Sequence, residues 1–141
     1  MVHVSTFIYA QDSNTVANTE GGNSLHLINP QHIFTPAFIP SLFSFAIMFG
    51  ILGIEQSKEH KIRVVFRGPN PNEGPILDTG DFNYPANDQG KDLPLEMQGF
   101  LMNLNLRNVP LKYEGEYATD IYADGILLGT FPIKVKGKQS V

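Results

Sequence analysis

Residues 41–56 read SLFSFAIMFGILGIEQ, the most apolar stretch of the chain. Three structures could bury it: a membrane helix, a helix in a soluble core, or a strand covered on both faces. The apolar core from Leu42 to Ile54 would reach about 20 Å as a helix, short of a hydrocarbon layer about 30 Å thick. Glu55, Lys58 and Glu59 follow it, and no basic residue precedes it, so the flanking charge of a membrane anchor is missing. Alternate positions sort its residues by size. Phe43, Phe45, Ile47, Phe49 and Ile51 share one side, whereas Leu42, Ser44, Ala46, Met48, Gly50 and Leu52 share the other. A period of two is the signature of a strand, because a helical wheel would mix the two sets on every face.

As a strand, the stretch would extend about 40 Å, against about 17–20 Å for an ordinary one. Gly50 and Gly53 mark places for a bulge or bend. The Phe and Ile side belongs in a core. Ala46, Met48 and Leu52 on the other side do not belong in open water, so a loop of this chain or another subunit is expected to cover them. Ser44, Ala46, Met48 and Leu52 therefore form the candidate interaction face. A charge at Ala46 would disturb association if a partner covers that face. It would disturb folding if "IFTPAFIP" (residues 33–40) folds over it instead.

Outward from this strand, the chain reads as further strands and turns. "MVHVSTFIYA" alternates Val2, Val4, Phe7 and Tyr9 with polar residues and suits a first strand. It lacks the basic start and cleavage site of a secretory signal, so the cytoplasm is the expected location. Residues 11–23 are polar and rich in Asn and Gly, and predict a loop before a second strand at 24–28. Pro30, Pro36 and Pro40 forbid a regular helix or central strand, which predicts an irregular crossing anchored by Phe34, Phe38 and Ile39. "KIRVVFRG" (61–68) predicts a strand paired with the long one through "EQSKEH". Residues 76–84 give a weaker strand, and "PANDQGKD" a surface loop. In "FLMNLNLRN" (100–108), Phe100, Met102, Leu104 and Leu106 face in, while Asn103, Asn105 and Arg107 face out.

The last segment, "EYATDIYADGILLGTFPIKV", predicts a β-hairpin turning at Asp124-Gly125. Tyr117, Thr119 and Ile121 would share a face with Phe131, Ile133 and Val135. The chain thus has seven to nine strands and no helical period, the pattern of an antiparallel all-β sandwich. Its 141 residues, with no repeat or shift in composition, form one domain over 1–141.

Composition narrows the function. With no cysteine, disulfides and thiolate metal sites are excluded. The net charge of −4 opposes phosphate backbones, and the short basic run Lys134 to Lys138 is weak footing for nucleic acid. His3, His26, His32 and His60 lack the spacing of a metal site, and Asp78, Asp81, Asp88 and Asp92 lack that of a calcium loop. No nucleophile elbow, readable triad or phosphate loop is present. Neither catalysis nor a cofactor is expected, and no small-molecule ligand. The expected partner is another protein or a second copy of the chain. The motive is the uncharged run from Gly21 to Ile54, which carries more apolar surface than one small sandwich hides.

Gly115-Glu116-Tyr117 resembles the D-x-G-x-Y corner of immunoglobulin-like sandwiches, with Tyr113 where the acid usually stands. By that resemblance, Tyr117 would bond back to nearby backbone and pin the corner between the sheets. The absence of Cys and Trp sets the chain apart from antibody-type domains. The order "FIYAQ", "LHLIN", "IFTPAFIP", "FSFAIMFGI" and "GEYATDIYADGILLGTFPIKV" is similar to a family of small bacterial proteins known as a domain of unknown function. That resemblance implies an immunoglobulin-like sandwich of bacterial or phage origin and carries no activity or site residues. The two functions left are a protein–protein interaction module and a structural or assembly subunit, such as a virion or appendage component.

Overall fold

The structure, a computed structural model, describes residues 1–17, 22–88 and 90–138. The strands follow as β1 (His3–Ala17), β2 (Asn23–Gln31), β3 (Ile33–Phe34), β4 (Ser41–Leu52), β5 (His60–Arg67), β6 (Leu77–Asp78) and β7 (Phe82–Tyr84). After a 3-10 turn at Leu95–Met97 come β8 (Gly99–Leu111), β9 (Gly115–Ala123) and β10 (Ile126–Val135). The first sheet runs β2-β1-β4-β8. The second runs β3-β10-β9-β5-β6, with β7 also on β5. Among the described residues, every pairing is antiparallel except β3 with β10. This is an antiparallel immunoglobulin-like β-sandwich with ten strands among the described residues rather than seven to nine. The increase has a local cause: residues 76–84 split into β6 and β7, and the crossing segment supplies the two-residue β3.

Strand β4 lies between β1 and β8. Its inward residues Phe45, Ile47, Phe49 and Ile51 are buried, and Phe43 is half-buried. Both edges of β4 are therefore taken, and β5 cannot pair with it as the sequence suggests. The chain after β4 instead passes to the second sheet, where β5 pairs with β9, setting Ile62 opposite Ala123 and Phe66 opposite Thr119. A run of aromatic rings then ties the layers together. Phe34 meets Phe45 at 4.8 Å, Phe45 meets Phe66 at 5.1 Å, and Phe66 stacks on Tyr117 at 5.7 Å between centroids. Each buried Phe contributes about 1.5–3 kcal/mol of burial free energy.

Two further expectations change. Residues 11–17 are not a loop: β1 continues to Ala17 and pairs with β2 from Tyr9↔Gln31 to Ala17↔Asn23. The polar side chains permit this because that pairing satisfies the backbone while most of the side chains remain exposed; residues 18–21 lie outside the described residues. In the crossing segment, Phe34 is fully buried and closes one edge of the sandwich, where β3 pairs with Lys134 and Val135. Phe38, however, is 51% exposed and anchors nothing.

Candidate interaction surface

The outer face of β4 shows how the chain covers its own strand. In a flat sheet, β1 and β8 would stand two strand spacings apart, about 9.6 Å. Yet Ser13 on β1 touches β8 directly. Its Oγ donates to Asn105 Oδ1 at 2.6 Å and accepts from Asn103 Nδ2 at 2.7 Å, while its carbonyl accepts from Asn105 Nδ2 at 3.0 Å. Strand β1 must therefore leave the sheet after Ala10 and pass over β4. Beneath it, Ala10 and Ala46 are both fully buried, and their small side chains make the close crossing possible. Neither "IFTPAFIP" nor another subunit is needed to cover Ala46.

The four candidate residues consequently do not form one open patch. Ala46 is sealed by the first hairpin. Ser44 is half-buried, and its Oγ accepts from the Asn108 amide at 3.0 Å. Met48 and Leu52 are half-buried.

Further along the same outer face, an apolar groove of about 520 Å³ remains, lined in part by Gly50, Leu52, Leu93, Met97 and Leu101. Leu101 lies across Gly50, where an added Cβ would sit 2.9 Å from Leu101 Cδ2 and from Ser5 Oγ. Leu93, Met97 and Leu101 are 44%, 57% and 55% exposed. Sequence reasoning missed them. For Leu93 and Met97 the signal was available in "DLPLEM", where large apolar residues alternate with Asp92, Pro94 and Glu96 in a loop too short to bury them.

The polar constellations are mutually satisfied. Asp120, buried between β5 and β10, accepts from Arg67 Nε at 2.9 Å and Nη2 at 3.2 Å, and from Thr130 Oγ1 at 2.7 Å. Burial pushes its carboxyl up, but the Arg67 and Thr130 bonds outweigh this and hold it below the ordinary carboxylate value. Asp78 is drawn down to about 2, first by the Arg63 guanidinium and then by the Gly80 amide. Tyr9 Oη donates to the Phe131 carbonyl at 2.6 Å and lies 2.7 Å from Thr119 Oγ1; burial raises this phenol above its ordinary value. His60 sits between Asp124 Oδ2 at 2.8 Å and the Glu55 carbonyl at 2.6 Å. Of the four acids grouped by sequence, Asp78 is thus bound to Arg63. Among the described residues, no three His, Cys, Asp or Glu side chains are grouped to hold a metal ion. No described helix is long and apolar enough to cross a membrane.

At the sandwich corner, Tyr117 Oη donates to the Tyr113 carbonyl at 2.6 Å and accepts from the Tyr113 amide at 3.2 Å. The hairpin turns on Asp124 and Gly125, with φ of 50° and 82°. Two positive φ values in succession define the primed turn that matches strand twist. Asp124 Oδ1 also accepts from the Lys61 amide at 2.9 Å, tying this turn to β5.

The two sheets, the tyrosine corner and the primed hairpin together define an immunoglobulin-like sandwich. The chain belongs to the DUF6941 family, a family of unknown function, whose pattern it matches over residues 16–136. No curated protein matches it. Among solved structures, it resembles the alkylpurine DNA glycosylase AlkC of Pseudomonas fluorescens, bound to DNA containing an abasic site analog, with 8% identity and a TM-score of 0.52. That superposition covers 96% of this chain and 30% of the glycosylase. It concerns the fold alone. An immunoglobulin-like protein from Pseudomonas aeruginosa superposes with 14% identity and a TM-score of 0.42, over 96% of this chain and 97% of that one.

Proposed function

We propose that the protein is a non-catalytic protein–protein interaction module of bacterial origin. The observation that carries this reading is the apolar groove at Leu93, Met97 and Leu101, where, among the described residues of the first hairpin, only Ser5 contributes to the lining. Contiguous exposed apolar surface beside polar residues marks contact sites on soluble proteins, and Met side chains adapt to irregular partners. Asp120 is closed by Arg67 and Thr130, and Tyr9 by Thr119 and the Phe131 carbonyl, which supports a structural use for them. A net charge of −4 favours a protein partner over a nucleic acid.

The test is affinity capture from the producing cell with the wild type and with a Leu93→Asp/Met97→Asp variant, after circular dichroism shows both are folded. A partner retained by the wild type and lost by the variant is the expected result. Equal capture by both would refute the groove as the docking site. The second reading is an assembly subunit such as a virion or appendage component, and the free edge of β8 favours it.

A further inference from the structure

The edges of the two sheets are not equally protected. Natural edge strands are blunted by proline, charge, bulges or shortness, because a free row of N–H and C=O groups recruits another strand. In this fold, β2 carries Pro30 and a positive φ at Asn29. The free side of β10 carries Pro132 and a register shift between Leu127 and Gly129. Strands β3, β6 and β7 have two or three residues each. Strand β8 is different. It pairs with β4 on one side and, among the described residues, ends the first sheet on the other. From Gly99 to Leu106 it has no proline, no charge and no register shift against β4; the first charge, Arg107, pairs with Asp12 of its own chain at 3.1 Å. Its interruptions, a positive φ at Asn108 and then Pro110, come later. The start of this edge borders a cleft of about 590 Å³, whose facing walls are Thr15, Asn23 and Leu25 of the first hairpin and Tyr84 of β7.

The sequence of this edge is complementary to itself. The centre of "FLMNLNLRN", Met102 to Leu106, is symmetric in character about Leu104. If two copies pair antiparallel with Leu104 on a two-fold axis, Met102 falls opposite Leu106 of the second copy. Asn103 falls opposite its Asn105, and Leu101 opposite its Arg107. Directly opposed residues in antiparallel strands share a face. Met102, Leu104 and Leu106 therefore meet apolar residues of the second copy, and the asparagines, each already bonded to Ser13 of its own chain, lie side by side on the outer face. A register shifted by one residue would set apolar side chains against asparagines. The geometry points to a two-fold dimer in which β8 pairs with β8 of a second copy, joining the two first sheets into one continuous sheet. This deepens the interaction reading by naming a partner, but it rests on the strand edge rather than on the groove.

The chain has no cysteine, so one introduced cysteine can report only contact between copies. Opposed residues in such a pair have Cα atoms about 4.5–5.5 Å apart, which suits a disulfide. Leu104→Cys should oxidise to a covalent dimer, whereas Leu101→Cys should not, because residue 101 lies far from its own counterpart. In sedimentation over a range of concentrations, Leu101→Lys should weaken self-association about tenfold, since the two-fold axis repeats its repulsion with Arg107. Leu101→Glu, opposite the same arginine, should keep or strengthen it. A wild type that stays monomeric at every concentration would overturn the inference, as would cross-linking by Leu101→Cys equal to that by Leu104→Cys. If the chain is monomeric yet capture still depends on Leu93 and Met97, the pairing falls and the module stands. If it dimerises through β8 but shows no groove-dependent capture, the pairing stands and the groove falls.

Discussion

Tyr117 is fully buried, and its hydroxyl bonds to the backbone of Tyr113 four residues earlier. Replacing it with Phe keeps the ring against Phe66 but leaves the Tyr113 carbonyl without that donor. Tyr117→Phe should lower stability by about 1 kcal/mol, the net worth of one buried hydrogen bond. Equilibrium urea unfolding measures this, and an unchanged midpoint would mean that the bond contributes nothing. At Gly125, by contrast, the constraint is backbone rather than packing. No atom lies within 4 Å of where a Cβ would sit, but φ is 82°. Space alone would tolerate any small residue there. A left-handed φ tolerates Asn far better than a β-branched side chain. Gly125→Val should therefore melt at a lower temperature than Gly125→Asn, and equal melting temperatures would contradict the turn geometry.

At the scale of elements, β4 separates what local sequence reveals from what it does not. The period of two in residues 42–52 identifies a strand and its core face, because sheet geometry fixes that pattern locally. Which segments cover its second face depends on contacts between residues far apart in the chain. Ser13 and Asn105 are separated by 92 positions, and nothing in either residue alone announces the bond. For the same reason the sequence suggests β5 beside β4: adjacency in the chain is visible, but occupation of both edges by β1 and β8 is not. The turn at Asp124-Gly125 and the corner at Tyr117 are legible because each depends on a few neighbouring residues. The groove is less so, since Leu93, Met97 and Leu101 come together only after β8 docks on β4. The crossing of β1 leads to a direct expectation. Ala46→Lys would bury a charge beneath the hairpin and should destabilise by roughly 3 kcal/mol or more. Phe45→Lys, facing the core, should unfold the domain. An Ala46→Lys protein with wild-type urea stability would show that the hairpin does not close over β4 in solution.

Across the whole molecule, acid should weaken the sandwich through particular carboxylates rather than through general charge. The folded-state pKa of Asp120 lies below its ordinary value, and that of Asp78 lies near 2. An unfolded Asp titrates at about 3.9. Between the folded and unfolded values, the unfolded chain holds more protons than the folded one, so stability rises with pH across that window. The contribution is fully present above about pH 5, where both states are ionised, and it is lost as pH falls through the folded values. Asp120 is the more consequential of the two, because it is buried and joins Arg67 on β5 to Thr130 on β10 across β9. Asp78 is exposed, and solvent screens its pair with Arg63. Asp120→Asn should therefore melt below the wild type at pH 7, and the gap should narrow as the pH is lowered towards 2. Thermal unfolding followed at intervals from pH 7 to pH 2 tests this. Melting curves that stay a constant distance apart would show that ionised Asp120 does not hold β5, β9 and β10 together.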